Sequence, residues 1–586
     1  MLARYGFPKL LGLWLCAASL VCWTAGPAAG EDRQLDELIK RLDRLEKQNE
    51  ELRQQLQAGK PPAAPAAKDD KPDKDNKKEK EKEKLTKAVE DVLKEKEKKD
   101  KEKKEAEAKQ KELEGYEVGK LLDMKGRWNN GLWFETEDKA FRFHVEGRAQ
   151  IDAVWVHAPK AMMVPLAQQG IGEYDDAINF RRARLGAEGT FWEVFDFYTQ
   201  YDFVNTVRIV TNNNKVDTTQ GQIAGTEGTS ADRNSVINTP VPTDFWIQWR
   251  EIPVIGTVRV GNQKQFIAIE HLTSSRFLDF LERSLAFDAF LENGNNGFVP
   301  GVSVFRSFME NNLFVGGGVY KPNFRDIFGW DVGDGEMQVV GRVAGTPFYR
   351  DNGRYLVHFG LGVLHSTADD GVIRFRSRPL IRNGPAVLHN IVAQIQGNMS
   401  NYNLVVPEFA AIWGPLSVVA EWYGVTTFQG KGDKFSRVGT QSNVPPGGRG
   451  TLNYSGGYVE VGYFLTGESR GYNRTFLSLD RQPVNENAFL VKNEEGGHCF
   501  GRGAWQVLAR YDYVNLDSKG VNGGIINNMT LGVNWYLNPN SKIQLNYGLA
   551  YRDATEYTKA GKVAPGGEGA RDGLIQSFGT RFAFDF

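Results

Sequence analysis

The spacing of apolar residues changes twice along the chain. Behind Arg4 and Lys9 an apolar run covers residues 10–21, and Ala28, Ala29 and Gly30 then lead into Glu31. A basic start, a short apolar stretch and a small-residue site predict a secretory signal over residues 1–30, too short to span a bilayer as a helix. Leu35, Leu38, Leu42, Leu45, Asn49, Leu52 and Leu56 then recur in steps of three and four with charges between them. This heptad seam predicts a coiled coil over residues 31–58, in which Asn49 would bury its amide only against another chain. A single amphipathic helix lying on another surface is the alternative.

Pro61, Pro62 and Pro65 end that helix, and a Pro/Ala-rich and then Lys/Glu-rich stretch follows over residues 59–115. Such a composition cannot bury a core, so it reads as a spacer, either a solvated helix or an extended linker. Residues 31–114 carry about 25 basic and about 25 acidic side chains, which leaves no net field to attract phosphate and excludes a nucleic-acid arm.

From Phe141 the period becomes two. Phe141, Phe143, Val145, Ile151 and Trp155 share one face, and Arg142, His144, Glu146, Arg148, Gln150 and Asp152 the other. The pattern returns at Phe195, Phe197, Tyr201 and Phe203, at Leu531, Val533 and Trp535, and at Ile543, Leu545, Tyr547 and Tyr551, each alternating with polar residues. Apolar-out, polar-in alternation of this length is that of a water-filled barrel in lipid. Aromatic residues at 12% and 64 glycines suit aromatic girdles and tight turns. No apolar run of about 20 residues follows the signal, which excludes a helical membrane protein but not a barrel. Residues 538–540 form a tight turn, whereas residues 211–242 and 430–451 read as long loops, the asymmetry of short periplasmic turns and long external loops. The last strand aligns Phe578, Phe582, Phe584 and the terminal Phe586, similar to the assembly signal of outer-membrane proteins. Residues 116–586 are therefore expected to fold as an all-β, transmembrane antiparallel β-barrel of about 16 strands, preceded by the coiled-coil helix and charged linker.

Arg374, Arg376 and Arg378 stand at steps of two, with Arg382 just beyond. On an extended chain the first three share a face; like charges side by side cannot face lipid, so they line water or meet anions. Guanidinium suits oxyanions because it stays charged and offers forked donors. Isolated arginines such as Arg148, Arg259 and Arg510 read instead as lumenal counter-charges to acids.

Several strings carry a resemblance in the right order over residues 142–586: F-R-R-A-R-L from Phe180, T-S-S-R-F-L-D-F-L-E-R-S-L from Thr273, F-L-T-G-E from Phe464, G-A-W from Gly503 and L-G-V-N-W-Y from Leu531. The chain resembles the phosphate-selective porin O and P family. That resemblance implies a homotrimer of sixteen-stranded barrels and a constriction built by an inward-folding loop, to which residues 270–285 are similar. It implies that Arg181 and Arg182 form the constriction pair, that Ser274 and Ser275 supply hydroxyls there, and that the Arg374, Arg376, Arg378 and Arg382 spacing is a ladder drawing anions inward. Arg184 and Arg276, carried by the same strings, complete the expected anion path. His271 departs from the basic residue a strict phosphate channel would place there.

The seven histidines include no H-x-x-x-H pair, and no G-x-S-x-G string occurs, so neither a metal site nor a serine nucleophile is indicated and no cofactor is expected. His498 and Cys499 read as an exposed loop pair. Cys16 and Cys22 would leave with the signal, neither following a small residue as a lipid-attachment site would, and Cys499 alone offers no disulfide. The barrel segment carries about 45 basic and about 48 acidic residues, so selectivity would rest on local placement. Three functions follow in order: an outer-membrane porin favouring small anions such as phosphate, a general or sugar-permeable porin, and a tether to the cell wall (peptidoglycan) through the periplasmic arm.

Overall fold

The structure, a computed structural model, describes residues 123–160, 162–163, 176–212, 215–220, 236–292, 297–322, 336–368, 372–378, 391–396, 399–429, 451–492, 497–519, 521–553 and 572–586. The expected signal, coiled coil and spacer, and Arg382, lie outside these residues.

Sixteen strands close a barrel. They begin with Arg142–His157 (β1), Ala177–Phe191 (β2), Phe195–Asn212 (β3) and Val236–Ile252 (β4). Gly256–Lys264 (β5), Phe298–Phe308 (β6), Leu313–Tyr320 (β7) and Gln338–Arg350 (β8) follow. Then come Tyr355–Thr367 (β9), Met399–Trp413 (β10), Leu416–Gln429 (β11) and Leu452–Phe464 (β12). Ala504–Ser518 (β13), Val521–Asn538 (β14), Ser541–Asp553 (β15) and Gly573–Asp585 (β16) complete it. Each strand pairs antiparallel with its neighbour, and β16 returns to β1 in the register Phe578↔Trp155 and Phe582↔Ile151. Closure leaves no strand edge to lipid, where an unpaired N–H or C=O has no water to turn to.

Alternation decides which face each side chain takes. On β14 and β15, Leu531, Leu545 and Tyr547 are exposed outward while Thr530, Asn534, Gln544 and Asn546 are buried inward. The aromatic residues gather near the short-turn end, where Trp413 stacks on Phe348 and Trp505 on Trp535. Rings with an apolar body and a polar edge collect at the headgroup level, so these positions form a girdle.

The connections at one end are short, as in the two-residue turn after β10, where Gly414 takes a left-handed φ of 60° that Gly accepts without a Cβ clash. Two connections break the asymmetry. β13 and β14 are joined tightly at the opposite end, and residues 465–503 make a long insert at the short-turn end. His498 and Cys499 lie in that insert, not in a loop but in a strand, His498–Gly501, paired with Phe489–Lys492. The expected loop at residues 211–242 also starts later and ends earlier: β3 runs to Asn212 and β4 starts at Val236. Pro240 and Pro242 sit in β4 beside register shifts between β3 and β4, where a missing N–H is tolerated.

The C-terminus is tied into the seam. Phe586 N–H donates to Gly147 O and Gly147 N–H to Phe586 O, both at 3.1 Å. A Cβ on Gly147 would run into the Phe586 ring, so the glycine makes room for it. Beyond this point the first residues of β1 pair with Leu132–Thr136, half of a hairpin with Met124–Trp128.

Candidate functional site

Between β5 and β6 the chain turns into the lumen instead of out to solvent. It carries two short helices, Ile269–Leu272 (α1) and Leu285–Phe290 (α2). Ser284 caps α2, its Oγ accepting from Phe287 N–H, and the Glu270 carboxylate takes both Ser284 N–H (2.9 Å) and Ser284 Oγ–H (2.7 Å). Backbone groups of an irregular loop must find partners once buried. The far wall supplies them: Glu421 of β11 accepts from Ile269 N–H at 2.7 Å, Asp512 of β13 from Leu285 N–H at 3.2 Å, and Asn546 of β15 from Leu281 N–H at 2.9 Å. Lumen-facing polar residues on β11, β13 and β15 thus hold the loop to their side of the barrel.

The insert at residues 465–503 enters the lumen from the other end. Arg342 of β8 holds Glu408 of β10 by two bonds, at 2.8 and 2.7 Å, and donates to Phe476 O and Leu477 O of the insert. Tyr472 hydroxyl lies 2.8 Å from His358 Nδ1, Arg470 reaches Asp279 of the loop at 3.1 Å, and Leu479 N–H donates to Thr273 Oγ1. Loop and insert interlock and occupy the β8–β16 side.

Among the described residues a chamber of about 520 Å³ lies against β1–β5. Nine cationic side chains line it, namely Arg142, Arg148, Arg182, Arg184, Arg250, Arg259, Lys264, Arg276 and Arg283, against five acids, Glu188, Asp196, Asp244, Glu282 and Glu292. Of the site residues expected from the sequence, Arg182, Arg184, Ser274, Ser275 and Arg276 line the chamber and Arg181 meets Glu282 of its lining, but the arginines are paired. Arg181 binds Glu282 at 2.6 and 3.1 Å, Arg182 donates to Gln150 at 2.7 Å with Glu282 at 3.7 Å, and Arg184 binds Asp202 at 2.8 Å. Arg276 contacts Glu146 and lies 3.4 Å from Asp585.

Four other cations have no carboxylate within 4 Å among the described residues. Arg148 donates to Ser275 Oγ (2.8 Å), Ser274 Oγ (3.4 Å) and Gln200 Oε1 (3.3 Å), so the two expected serines serve as its supports. Arg259 donates to Gln248 at 2.9 Å and lies 3.9 Å from the Trp246 ring centre. Lys264 and Arg283 donate to the loop carbonyls of Leu272, Thr273 and Glu270. Arg148 and Arg259 therefore differ from the counter-charge reading of isolated arginines, whereas Arg510 follows it, bonded to Asp512 at 3.1 Å. Strand alternation could mark Arg148 and Arg259 as lumenal, but which acids reach them depends on register across the sheet.

His271 is 1% exposed, and neither ring nitrogen has a hydrogen-bond partner among the described residues. Burial, with Lys264 and Arg283 nearby, holds its pKa far below the ordinary histidine range, so it adds no charge at neutral pH.

The ladder residues lie in a second inward segment, a hairpin of Val372–Ser377 and Ile391–Gln396. Phe375 meets Phe290 of α2 edge to face at 5.4 Å, and Ser377 Oγ donates to Leu285 O. Ile373 and Phe375 face inward, leaving Arg374 exposed and Arg376 half-exposed on the opposite face. Burial, with Arg378 beside it, brings Arg376 down to about 10, which leaves it cationic at neutral pH. Arg378 is engaged by Asp288 at 2.7 Å and Glu292 at 3.4 Å of the inward loop.

Residues 164–582 match the family described as phosphate-selective porin O and P. The chain belongs to that family. This porin is 26% identical over 469 residues to an uncharacterized protein of Caulobacter vibrioides, covering 78% of this chain and 76% of the other. It is 22% identical over 449 residues to Porin O of Pseudomonas aeruginosa, covering 74% of this chain and 88% of that one. Among solved structures, the anion-selective porin from Comamonas acidovorans aligns with a TM-score of 0.40 and 10% identity, over 76% of this chain and all of that one. Family and barrel together make this an outer-membrane channel protein, not an enzyme.

Proposed function

We propose that this porin passes small anions by passive diffusion, phosphate among them, through the chamber between β1–β5 and the constriction loop. The observation that carries the reading is a set of four cations with no carboxylate within 4 Å among the described residues, the buried Arg148, Arg259 and Arg283 and the half-buried Lys264. An uncompensated charge in a low-dielectric surround is costly, and in a channel it is offset by the ion that passes. Arg374 and Arg376 extend the positive potential toward the external mouth, where it concentrates anions before the narrow point. Forked guanidinium donors favour an oxyanion over chloride, which supports phosphate as a cargo. The test is the reversal potential of the purified channel in a planar bilayer under a salt gradient, with phosphate added as competitor. A cation preference, or chloride current that phosphate does not reduce, would refute the proposal.

The ion pairs of Arg181, Arg182, Arg184 and Arg276 favour a second reading, a general porin whose lumenal charges mostly cancel. The same measurement separates the two, since a general porin gives a reversal potential near zero. A homotrimer is proposed from the family and from the heptad seam at residues 31–58. The N-terminal arm is proposed to lie in the periplasm because β1 starts at the short-turn end, which also suits a contact with the cell wall.

A further inference from the structure

The insert at residues 465–503 divides in two. Its first half enters the lumen, but its second half turns outward. Ala488 N–H donates to Leu537 O at the end of β14, and the indole N–H groups of Trp505 (3.1 Å) and Trp535 (2.8 Å) both donate to Arg502 O. Trp505 and Trp535 occupy the outward alternation of β13 and β14, with Val507 and Leu531. Phe489 packs on Trp535 at 5.7 Å and Phe500 on Phe489 at 6.0 Å. These bonds hold the hairpin of Phe489–Lys492 and His498–Gly501 against the outside of the barrel, at the rim that carries the aromatic girdle.

The exposed surface of this hairpin does not suit water. Phe500 is 73% exposed and Phe489 49%, and Leu465 beside Trp505 is 62% exposed. They continue the apolar band of β13 and β14, while Lys492 and His498 at the far end of the hairpin are exposed as well. We propose that the hairpin lies in the periplasmic-side leaflet of the outer membrane, its phenylalanines at the headgroup and acyl boundary and its basic end toward phospholipid headgroups. Aromatic rings concentrate at that depth, and lysine reaches headgroups from it. The occupant is lipid because the patch is continuous with the lipid-facing wall and bonded to its two tryptophans. A segment that fills the lumen would thereby be anchored from outside.

Cys499 offers the probe, being exposed and the one cysteine among the described residues. The protein without its expected signal, and so without Cys16 and Cys22, with Cys499→Ser and Phe500→Cys would be labelled with a polarity-sensitive fluorophore and reconstituted into phosphatidylcholine vesicles, folding being checked by heat-modifiable migration. A parallel sample would carry the label on the native Cys499. In vesicles whose acyl chains are brominated close to the headgroup, emission from position 500 should fall by about half, and aqueous iodide should leave it little changed. Water-like emission, quenched by iodide and not by bromine at both positions, would overturn the proposal. So would efficient linking of Cys499 between subunits by a short bis-maleimide without bromine quenching, which would make the hairpin a contact between copies.

Discussion

Replacing Arg148 with Gln is the most discriminating perturbation of the chamber. Its guanidinium is held by Ser275 Oγ at 2.8 Å and by Gln200 Oε1 at 3.3 Å, with no carboxylate within 4 Å among the described residues, so the substitution removes a full positive charge and breaks no direct ion pair. A unit charge in contact with an anion about 4 Å away is worth about 1 kcal/mol in bulk water and about 4 kcal/mol in a surround of dielectric about 20. A water-filled chamber with protein walls lies toward the lower figure. About 1–2 kcal/mol corresponds to roughly 5- to 30-fold weaker block of chloride current by phosphate, and anion-to-cation permeability should fall in the same direction. Arg510→Gln is the control, because Arg510 is already matched by Asp512 and sits behind the loop, so its loss should disturb folding more than selectivity. Single-channel conductance and reversal potential in planar bilayers read both. If Arg148→Gln leaves phosphate block and reversal potential unchanged, or if Arg510→Gln shifts them equally, the unpaired cations do not set selectivity.

Replacing Arg374, Arg376 and Arg378 together with Gln should lower anion preference while the pore stays open; Arg378→Gln alone should raise open-channel noise, because it removes the side-chain ion pairs that tie the hairpin to Asp288 and Glu292 of the loop. Glu408→Gln strands Arg342 beneath the insert and should cost about 3–5 kcal/mol, read as a lower denaturant midpoint for the folded, heat-modifiable form. Gly147→Ala should reduce the yield of assembled barrel as strongly as removing Phe586, since the new methyl occupies the space of that ring; normal yield of either variant at low expression would count against the terminal clasp. His271 titrates in the folded loop only well below its ordinary pKa of about 6.5, whereas the unfolded chain takes up the proton as pH falls through that value. Its contribution to stability is thus complete above about 6.5 and is lost as pH falls below it, so His271→Gln should flatten the pH dependence of the unfolding midpoint in that window.

The barrel was legible because lipid imposes a period of two on every strand it touches. Phe143, Trp155, Leu531, Leu545 and Tyr547 face outward as their spacing predicts, and the terminal aromatic strand closes on β1. The inward loop was expected from the family resemblance, and the structure turns the segment between β5 and β6 into the lumen; the spacing of Arg374 and Arg376 placed them on one face of an extended segment. The balance of charge in the chamber was not. Arg181 and Arg182 look free along the chain, yet both meet Glu282 from the loop, 101 residues away from Arg181, while Arg148 and Arg259 look like ordinary counter-ions and meet only amides, hydroxyls and rings. Nor could spacing tell that residues 465–503 divide between lumen and outer rim, since that follows from Arg342 and Glu408 on one side and Trp505 and Trp535 on the other. Periodicity along one strand reports which solvent a side chain meets; which charge it meets is decided by strands and loops far away in sequence, and electrostatic pairing falls off over a few ångströms that only the folded barrel sets.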